Sequence, residues 1–169
     1  MDLWTYEREQ WNSGCATLCG VDEAGAGPLA GPVVCAAVIL SLEEARRIPG
    51  IDDSKKLSPK KREQPAALIR ERARAWAVAE VSNEVIDEIN ILQATRLCMK
   101  RAVEALEPRA DVVLVDGNMT LDIALPQCAF VKGDARIASI GAASILATVH
   151  RDALMRAFAE RYPESGFGR

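Results

Sequence analysis

The 169-residue chain carries 21 basic and 24 acidic side chains, for a formal net charge of −3, and 49% of its residues are hydrophobic. This balance is ordinary for one globular domain and excludes a strongly basic nucleic-acid coat, but not a local basic patch. Five cysteines without a C-x-x-C pair argue against a disulfide framework or a zinc site, and no signal peptide or membrane-spanning run is visible. We therefore expect a single domain over residues 1–169, without membrane contact, in a reducing cytoplasm.

The first predicted elements surround a glycine-rich loop. Residues 1–14 carry aromatic side chains among charges and predict a short helix. An apolar run over 17–21 ends in Asp22 and Glu23, and a loop with three glycines separates it from a second apolar run over 33–40. This pattern predicts a strand, a special loop and a second strand. Neighbouring side chains within a strand point to opposite faces. We therefore expect Asp22 and Glu23 to serve one site only if the pleat breaks down around them, at the strand end where the glycines begin.

A dinucleotide-binding fold is one alternative for this stretch, because Gly25, Ala26 and Gly27 follow a strand. That fingerprint requires a helix directly behind the glycines. Here Pro28 and Pro32 intervene and β-branched residues follow, so a strand is predicted instead. Carboxylates beside a loop whose glycines let the backbone approach a ligand suit a divalent metal and a phosphate. An acidic hairpin tip without chemistry is the other interpretation that this stretch alone leaves open.

The rest of the chain predicts alternating helices and strands. Ser58 and Pro59 have the N-cap and first-turn preferences of a helix that runs to about residue 74. The later predicted elements are a strand over 75–82, helices over 83–88 and 90–106, strands over 112–115 and 129–131, and a small-residue helix over about 135–161. Such alternation is typical of α/β proteins.

Three predicted strands end in acidic residues: Asp22 with Glu23, then Asp116, then Asp134. In α/β proteins functional groups collect outside strand ends, where loops present them. Oxygen ligands in a chain with one histidine favour a hard cation, Mg²⁺ or Mn²⁺. Two such ions can clamp the attacking and departing oxygens of a phosphoryl transfer. Asp116 and Asp134, each taken alone, are better explained as turn residues, so the coincidence of three acidic strand ends carries the metal hypothesis.

Several motifs in a fixed order resemble the bacterial ribonuclease HII family, the type 2 ribonucleases H. They are GVDEAGAGPLAGPVV at 20–34, DSKKLSPKKRE at 53–63, NILQAT at 90–95, VDGN at 115–118, KGD at 132–134 and AASIL at 142–146. The resemblance spans 19–167 and implies a ribonuclease H-like α/β fold, with a mixed central sheet flanked by helices. It also implies hydrolysis of the RNA strand of RNA–DNA hybrids and cleavage 5′ to ribonucleotides embedded in duplex DNA, leaving a 5′-phosphate and a 3′-hydroxyl.

The resemblance further implies which residues form the site. Two divalent ions, Mg²⁺ or Mn²⁺, would be held by Asp22, Glu23, Asp116 and Asp134. The loop of Gly25, Ala26 and Gly27 would meet the ribose 2′-hydroxyl, the group that distinguishes RNA from DNA, and Lys55 and Lys56 would contact backbone phosphates. Taken alone, the two lysines are equally typical of a solvated helix start.

Asp152 lies at a position that is often acidic in the family, so it is a candidate for a supporting role. A helix-surface charge is its simpler interpretation. His150, the one histidine of the chain, is interpreted as a surface residue.

Three features depart from the family pattern. Ala26 stands where the family usually carries arginine, and Thr148 where it often carries lysine. The sequence ends at Arg169, before the family's C-terminal segment with its substrate-contacting tyrosine, so the domain is expected to lack that segment. Because of these departures, one alternative function stays open: the chain could be a catalytically impaired domain that binds hybrids or other nucleic acids without cutting them. A monomer is expected by resemblance.

Overall fold

The computed structural model of the chain describes residues 4–14, 17–25, 31–41, 51 and 58–161. In chain order its elements are α1 (Thr5–Asn12), β1 (Leu18–Ala24), β2 (Val33–Ile39), α2 (Pro59–Arg72), β3 (Ala75–Val81), α3 (Asn83–Glu104), β4 (Val112–Asp116), β5 (Gln127–Phe130), a 3₁₀ helix (Gly133–Ala135) and α4 (Ala138–Arg161). The α/β class predicted from the sequence is confirmed.

The strands form one mixed sheet in the order β3-β2-β1-β4-β5. β2 pairs antiparallel with both β1 and β3, whereas β4 pairs parallel with both β1 and β5. Since β1, β4 and β5 run in the same direction, their carboxyl ends lie at one edge of the sheet, where α/β proteins commonly bind ligands.

Helices cover both faces of the sheet. α3 packs on β2 and β3, and α4 packs on β1 and β2 from the other side. Every residue of β2 is buried, as expected for a central strand covered on both faces, and its apolar sequence fits this environment. Adjacent β2 residues accordingly belong to different cores, Cys35 to the core under α3 and Ala36 to the core under α4.

α3 contains a break at Asn90, between the two helices predicted over 83–88 and 90–106. Asn90 has a left-handed φ of 69° and ψ of 168°, so the helical path is interrupted there. Its side-chain Oδ1 accepts a hydrogen bond of 3.0 Å from the Gln93 amide, as an N-cap residue does. Asparagine tolerates positive φ better than most residues, which explains its use at this point.

The boundaries differ from expectation in two places. β5 covers Gln127–Phe130 rather than 129–131, and Val131 beyond it is 60% exposed. The last helix begins at Ala138, about three residues later than predicted, and a separate 3₁₀ turn around Asp134 precedes it. No helix in the described ranges has the length and apolarity needed to cross a bilayer.

Candidate active site

β1 extends through Asp22 and Glu23 and ends at Ala24, directly before Gly25, where the strand end was predicted, but its pairing with β2 is still regular at both carboxylates. Its pairing with β2 runs on to Ala24, opposite Val34. Its pairing with β4, in contrast, has its last partners at Val21 and Val115. The sheet therefore opens between β1 and β4 at Asp22 while the other side of β1 remains paired.

Strand alternation separates the two neighbouring carboxylates. Asp22 is opposite Ala36, in the core under α4, and Glu23 is opposite Cys35, in the core under α3. Asp22 is only 4% exposed, and its Oδ1 accepts a hydrogen bond of 2.8 Å from the Glu23 amide. The two side chains thus approach the open sheet edge from opposite faces.

Asp116 and Asp134 are joined directly. Asp116 is the last residue of β4, and its Oδ1 accepts a hydrogen bond of 3.2 Å from the Asp134 backbone amide. Asp134 lies in the 3₁₀ helix that follows β5, just after Lys132, whose φ of 55° turns the chain. Gly133 allows this approach, since a Cβ built on it would stand 3.4 Å from Asp116 Oδ1 and 2.7 Å from the Ile140 side chain.

The pKa of Asp22 is raised by its burial and by the other predicted ligands. Burial, followed by the charge of Asp116, raises the pKa of Asp22 from 3.8 to about 9, and the charges of Glu23 and Asp134 add to the rise. The hydrogen bond from the Glu23 amide acts in the opposite direction. A buried carboxyl among like charges holds its proton unless a cation compensates them.

The donor set therefore fits divalent ions in chemistry and charge, because it consists of oxygen ligands whose repulsion a cation would relieve. In the ranges that the structure describes, no three His, Cys, Asp or Glu side chains converge into a ready-made metal cage. The carboxylates are close enough to shift the pKa of Asp22, but they do not converge on one point.

The glycine loop is described only at its two ends. Ala26 and Gly27 lie outside the described residues, as do Lys55 and Lys56, so their predicted substrate contacts stay predictions. Gly25 and Gly31 have positive φ values of 93° and 129°. The predicted strand after the glycines is confirmed as β2, which excludes the dinucleotide fingerprint.

Arg151 of α4 reaches both ends of this loop. Its Nε donates a hydrogen bond of 3.1 Å to the Pro32 carbonyl. A Cβ built on Gly25 would overlap that Nε, and one built on Gly31 would stand 2.9 Å from Nη2 of the same side chain. The buried guanidinium group therefore supports both described ends of the loop. Glycine is required at both ends because a side chain there would collide with Arg151.

Asp152 and His150 lie on α4 on either side of Arg151. Asp152 is partly buried, and its Oδ2 is buried without a hydrogen-bond partner in the described part of the chain. His150 pairs with Glu80 of β3 at 2.8 Å, and 39% of its side chain is exposed, which confirms it as a surface residue.

Two residues were not predicted from the sequence: Arg151, which contacts the ends of the glycine loop, and Glu7, which is buried against the first turn of α4. Nothing in the spacing of Arg151 distinguishes it from other helical arginines. The close packing of α4 on β1, in contrast, could have been predicted from Gly20, because a glycine inside a strand often marks the close approach of another backbone. The α4 backbone at Ser139 and Ile140 does lie against Gly20, and a Cβ there would stand 2.5 Å from the Ser139 carbonyl oxygen.

Comparison with known proteins agrees with this geometry. The family model described as Ribonuclease HII matches residues 19–168. The ribonuclease HII of Dechloromonas aromatica is 60% identical over 152 residues, which cover 90% of this chain and 76% of the relative. That of Azoarcus sp. is 58% identical over 149 residues, covering 88% of this chain and 72% of the relative.

Solved structures show the same fold. Ribonuclease H2 from Pyrococcus horikoshii has a TM-score of 0.78 at 28% identity, covering 90% of this chain and 80% of its own. The ribonuclease HII in the PCNA complex from Archaeoglobus fulgidus has a TM-score of 0.76 at 30% identity, and the match covers 89% of this chain and 79% of that one. Bst-RNase HIII in complex with Mn²⁺ has a TM-score of 0.74 at 22% identity, a likeness of fold alone; the match covers 88% of this chain and 56% of that one.

The expected ribonuclease H-like fold is confirmed by these structures, and the alternative of a catalytically impaired binding domain finds no support among the relatives. The sheet edge that gathers Asp22, Asp116 and Asp134 lies within the matched range, and so does Glu23. The chain therefore belongs to the ribonuclease HII family and is a ribonuclease H enzyme that acts on RNA–DNA hybrids.

Proposed function

We propose that Asp22, Glu23, Asp116 and Asp134 hold two divalent ions, Mg²⁺ or Mn²⁺, with which the enzyme hydrolyses the RNA strand and also cuts 5′ to single ribonucleotides in duplex DNA. The observation that carries the proposal is the burial of Asp22 among neighbouring carboxylates, whose charges help to raise its pKa. Divalent ions relieve this arrangement. The Mn²⁺ complex of a protein with the same fold, Bst-RNase HIII, supports the choice of ion.

Bound ions would supply activation of the attacking water and stabilisation of the departing 3′ oxygen, which yields a 5′-phosphate and a 3′-hydroxyl. The protein would contribute by orienting the carboxylates that bind these ions. The Glu23 amide orients Asp22, and the Asp134 amide orients Asp116, with hydrogen bonds of 2.8 and 3.2 Å. Asp152 is proposed as a supporting residue, because its buried Oδ2 has no hydrogen-bond partner within the described ranges.

Substrate recognition is assigned to the loop that begins at Gly25. Its backbone, together with that of Ala26 and Gly27, is proposed to meet the ribose 2′-hydroxyl. The brace from Arg151 to the loop ends supports this, because a recognition loop must be held in place to discriminate one hydroxyl group. Lys55 and Lys56 are proposed to neutralise backbone phosphates, which position a duplex without identifying its sequence.

We further propose that the enzyme acts as a monomer and as a single ribonuclease H-like domain. Three of the carboxylates lie on one sheet, Asp134 lies in the 3₁₀ turn that follows its strand β5, and the described ends of the glycine loop adjoin β1 and β2, so one domain assembles them. Its nucleic-acid substrates and its unpaired buried cysteines suit the cytoplasm, where thiols stay reduced.

The test is cleavage of two labelled substrates, an RNA–DNA hybrid and a DNA duplex with one ribonucleotide, each with Mg²⁺ and with Mn²⁺. We expect both to be cut, the second on the 5′ side of the ribonucleotide. Asp116→Asn, which removes charge with little change of shape, should abolish cleavage of both. Cutting of the hybrid alone would show that recognition of a single ribonucleotide is wrongly proposed, and full activity with EDTA would overturn the metal mechanism.

A further inference from the structure

One buried carboxylate has no part in the proposed chemistry. Glu7 of α1 is fully buried, whereas the other residues of that helix are at least partly exposed. Its Oε1 accepts a hydrogen bond of 2.8 Å from the Ser139 backbone amide. Burying a carboxyl group costs free energy, so this position requires a compensating interaction.

Partial compensation lies at the start of α4, since Oε1 has a partner there while Oε2 is buried without one in the described part of the chain. Ser139 is the second residue of that helix, and the first amides of a helix have no partner within it. A negative charge is favourable at that end of the helix dipole. Glu7 is thus an N-terminal cap of α4 supplied by a different helix, 132 residues away in sequence.

The first turn of α4 supports the segment that carries Asp134. The Ile137 amide bonds to the Gly133 carbonyl at 2.8 Å, and the Ile140 side chain packs against Gly133. A Cβ built on Gly141 would stand 3.0 Å from the Asp134 carbonyl oxygen. Displacement of this turn would therefore move Asp134 away from Asp116.

α1 also contacts the other end of the same segment. Tyr6, beside Glu7, makes an edge-to-face contact of 5.1 Å with the ring of Phe130, the last residue of β5. Phe130 is paired with Asp116 in the sheet. Two adjacent residues of α1 therefore hold both ends of residues 131–138, the stretch that includes Asp134.

We propose that Glu7 is a positioning residue of the active site, which fixes Asp134 relative to Asp116 by holding the first turn of α4. The inference rests on the proposed function, since it gives Asp134 a role in metal binding. Loss of a group that orients a metal ligand typically lowers metal affinity about 10- to 100-fold.

The test compares Glu7→Ala, Glu7→Gln and Glu7→Met with Glu9→Ala, an exposed glutamate of the same helix, as the matched control. Mn²⁺ binding is titrated by electron paramagnetic resonance of the free ion, independently of cleavage, and kcat and KM are measured on the hybrid. We expect Glu7→Ala to weaken Mn²⁺ binding about tenfold or more and to lower kcat with KM unchanged. Glutamine keeps an acceptor oxygen and should restore binding, and Glu9→Ala should match the wild type.

Glu7→Met separates the positioning of Asp134 from the stability of the fold. Methionine removes the cap, but it also removes the buried carboxyl group and fills a similar volume, so little stability should be lost. It should fold and still bind Mn²⁺ weakly. Wild-type affinity in a folded Ala or Met variant would overturn the inference, as would failure of both variants to fold, which would make Glu7 a requirement of the whole fold. A wild-type protein that binds no Mn²⁺ would instead refute the proposed function.

Discussion

The guanidinium group of Arg151 lies against Gly25 and bonds to the Pro32 carbonyl at 3.1 Å, so one α4 side chain supports both ends of the glycine loop. We predict that Arg151→Ala lowers kcat/KM on the single-ribonucleotide duplex about tenfold or more, since a supported loop loses a charge-assisted hydrogen bond. Arg151→Lys should not rescue it, because lysine lacks the Nε donor and the planar fork.

Arg156→Ala is the control for this experiment. Arg156 is an arginine of the same helix whose pair with Glu63 is about half exposed. Exposed ion pairs contribute little, so this variant should keep wild-type kinetics. Equal losses in both arginine variants would show that the effect comes from total charge and not from the loop.

Replacement of Asp22 should separate stability from activity. The folded state raises the pKa of Asp22 from 3.8 to about 9, so above pH 3.8 this group lowers the stability of the metal-free protein. The asparagine side chain does not ionise in the unfolded chain, so Asp22→Asn should raise the free energy of unfolding at neutral pH, without metal, by on the order of 2 kcal/mol. Urea unfolding measures this gain, and the same variant should not cleave a hybrid. A less stable Asp22→Asn protein would contradict the proposed source of the pKa shift.

Metal binding should depend on pH. Below its raised pKa of about 9, Asp22 holds a proton that a divalent ion must displace. We therefore expect the Mn²⁺ affinity of the wild type to rise as the pH increases from about 6 toward 9, with proton release on binding. Calorimetry in two buffers of different ionisation enthalpy measures the protons released. An affinity that does not change over this range would show that Asp22 is already ionised in the free protein.

Gly20 should tolerate no side chain. Its Cβ would overlap backbone atoms of Ser139 and Ile140, and helix backbone cannot move aside as a flexible side chain can. We expect Gly20→Ala to cost more than about 3 kcal/mol, or to prevent folding. Gly14→Ala is the matched control, because Gly14 has a positive φ of 97° with nothing within 4 Å, so it should cost only about 1–2 kcal/mol of backbone strain. Thermal or urea unfolding of both proteins distinguishes the two effects.

Glu7 should make stability fall as the pH rises. Burial raises its pKa from 4.5 to about 7, so below pH 4.5 the carboxyl is protonated in both folded and unfolded chains. Between those values the unfolded chain ionises first, and the wild-type free energy of unfolding should drop by about 3 kcal/mol relative to Glu7→Gln. Urea unfolding of both proteins at about pH 5 and pH 8 measures the difference. Parallel stability curves would show that the Glu7 pKa is ordinary.

Much of the fold followed from local patterns. The apolar run over 17–21, the separate helices predicted over 83–88 and 90–106 and the β-branched run after the glycines each correspond to an observed feature. Local rules could not indicate which neighbours each strand has, and these decide that β1 stays paired with β2 as far as Ala24 while its pairing with β4 ends at Val21. The same rules left Asp134 as a strand-end or turn residue and did not predict the 3₁₀ geometry around it.

The sequence by itself determined the family to which these motifs belong, together with four candidate oxygen ligands and a glycine loop. Only the tertiary structure decided that Asp22 and Glu23 approach from opposite faces, that Arg151 braces the loop, and that Glu7 caps a helix 132 residues away. The reason is physical. Residue types and short spacings specify local conformation and donor chemistry, whereas strand register and helix docking depend on contacts between distant segments, which no local pattern records.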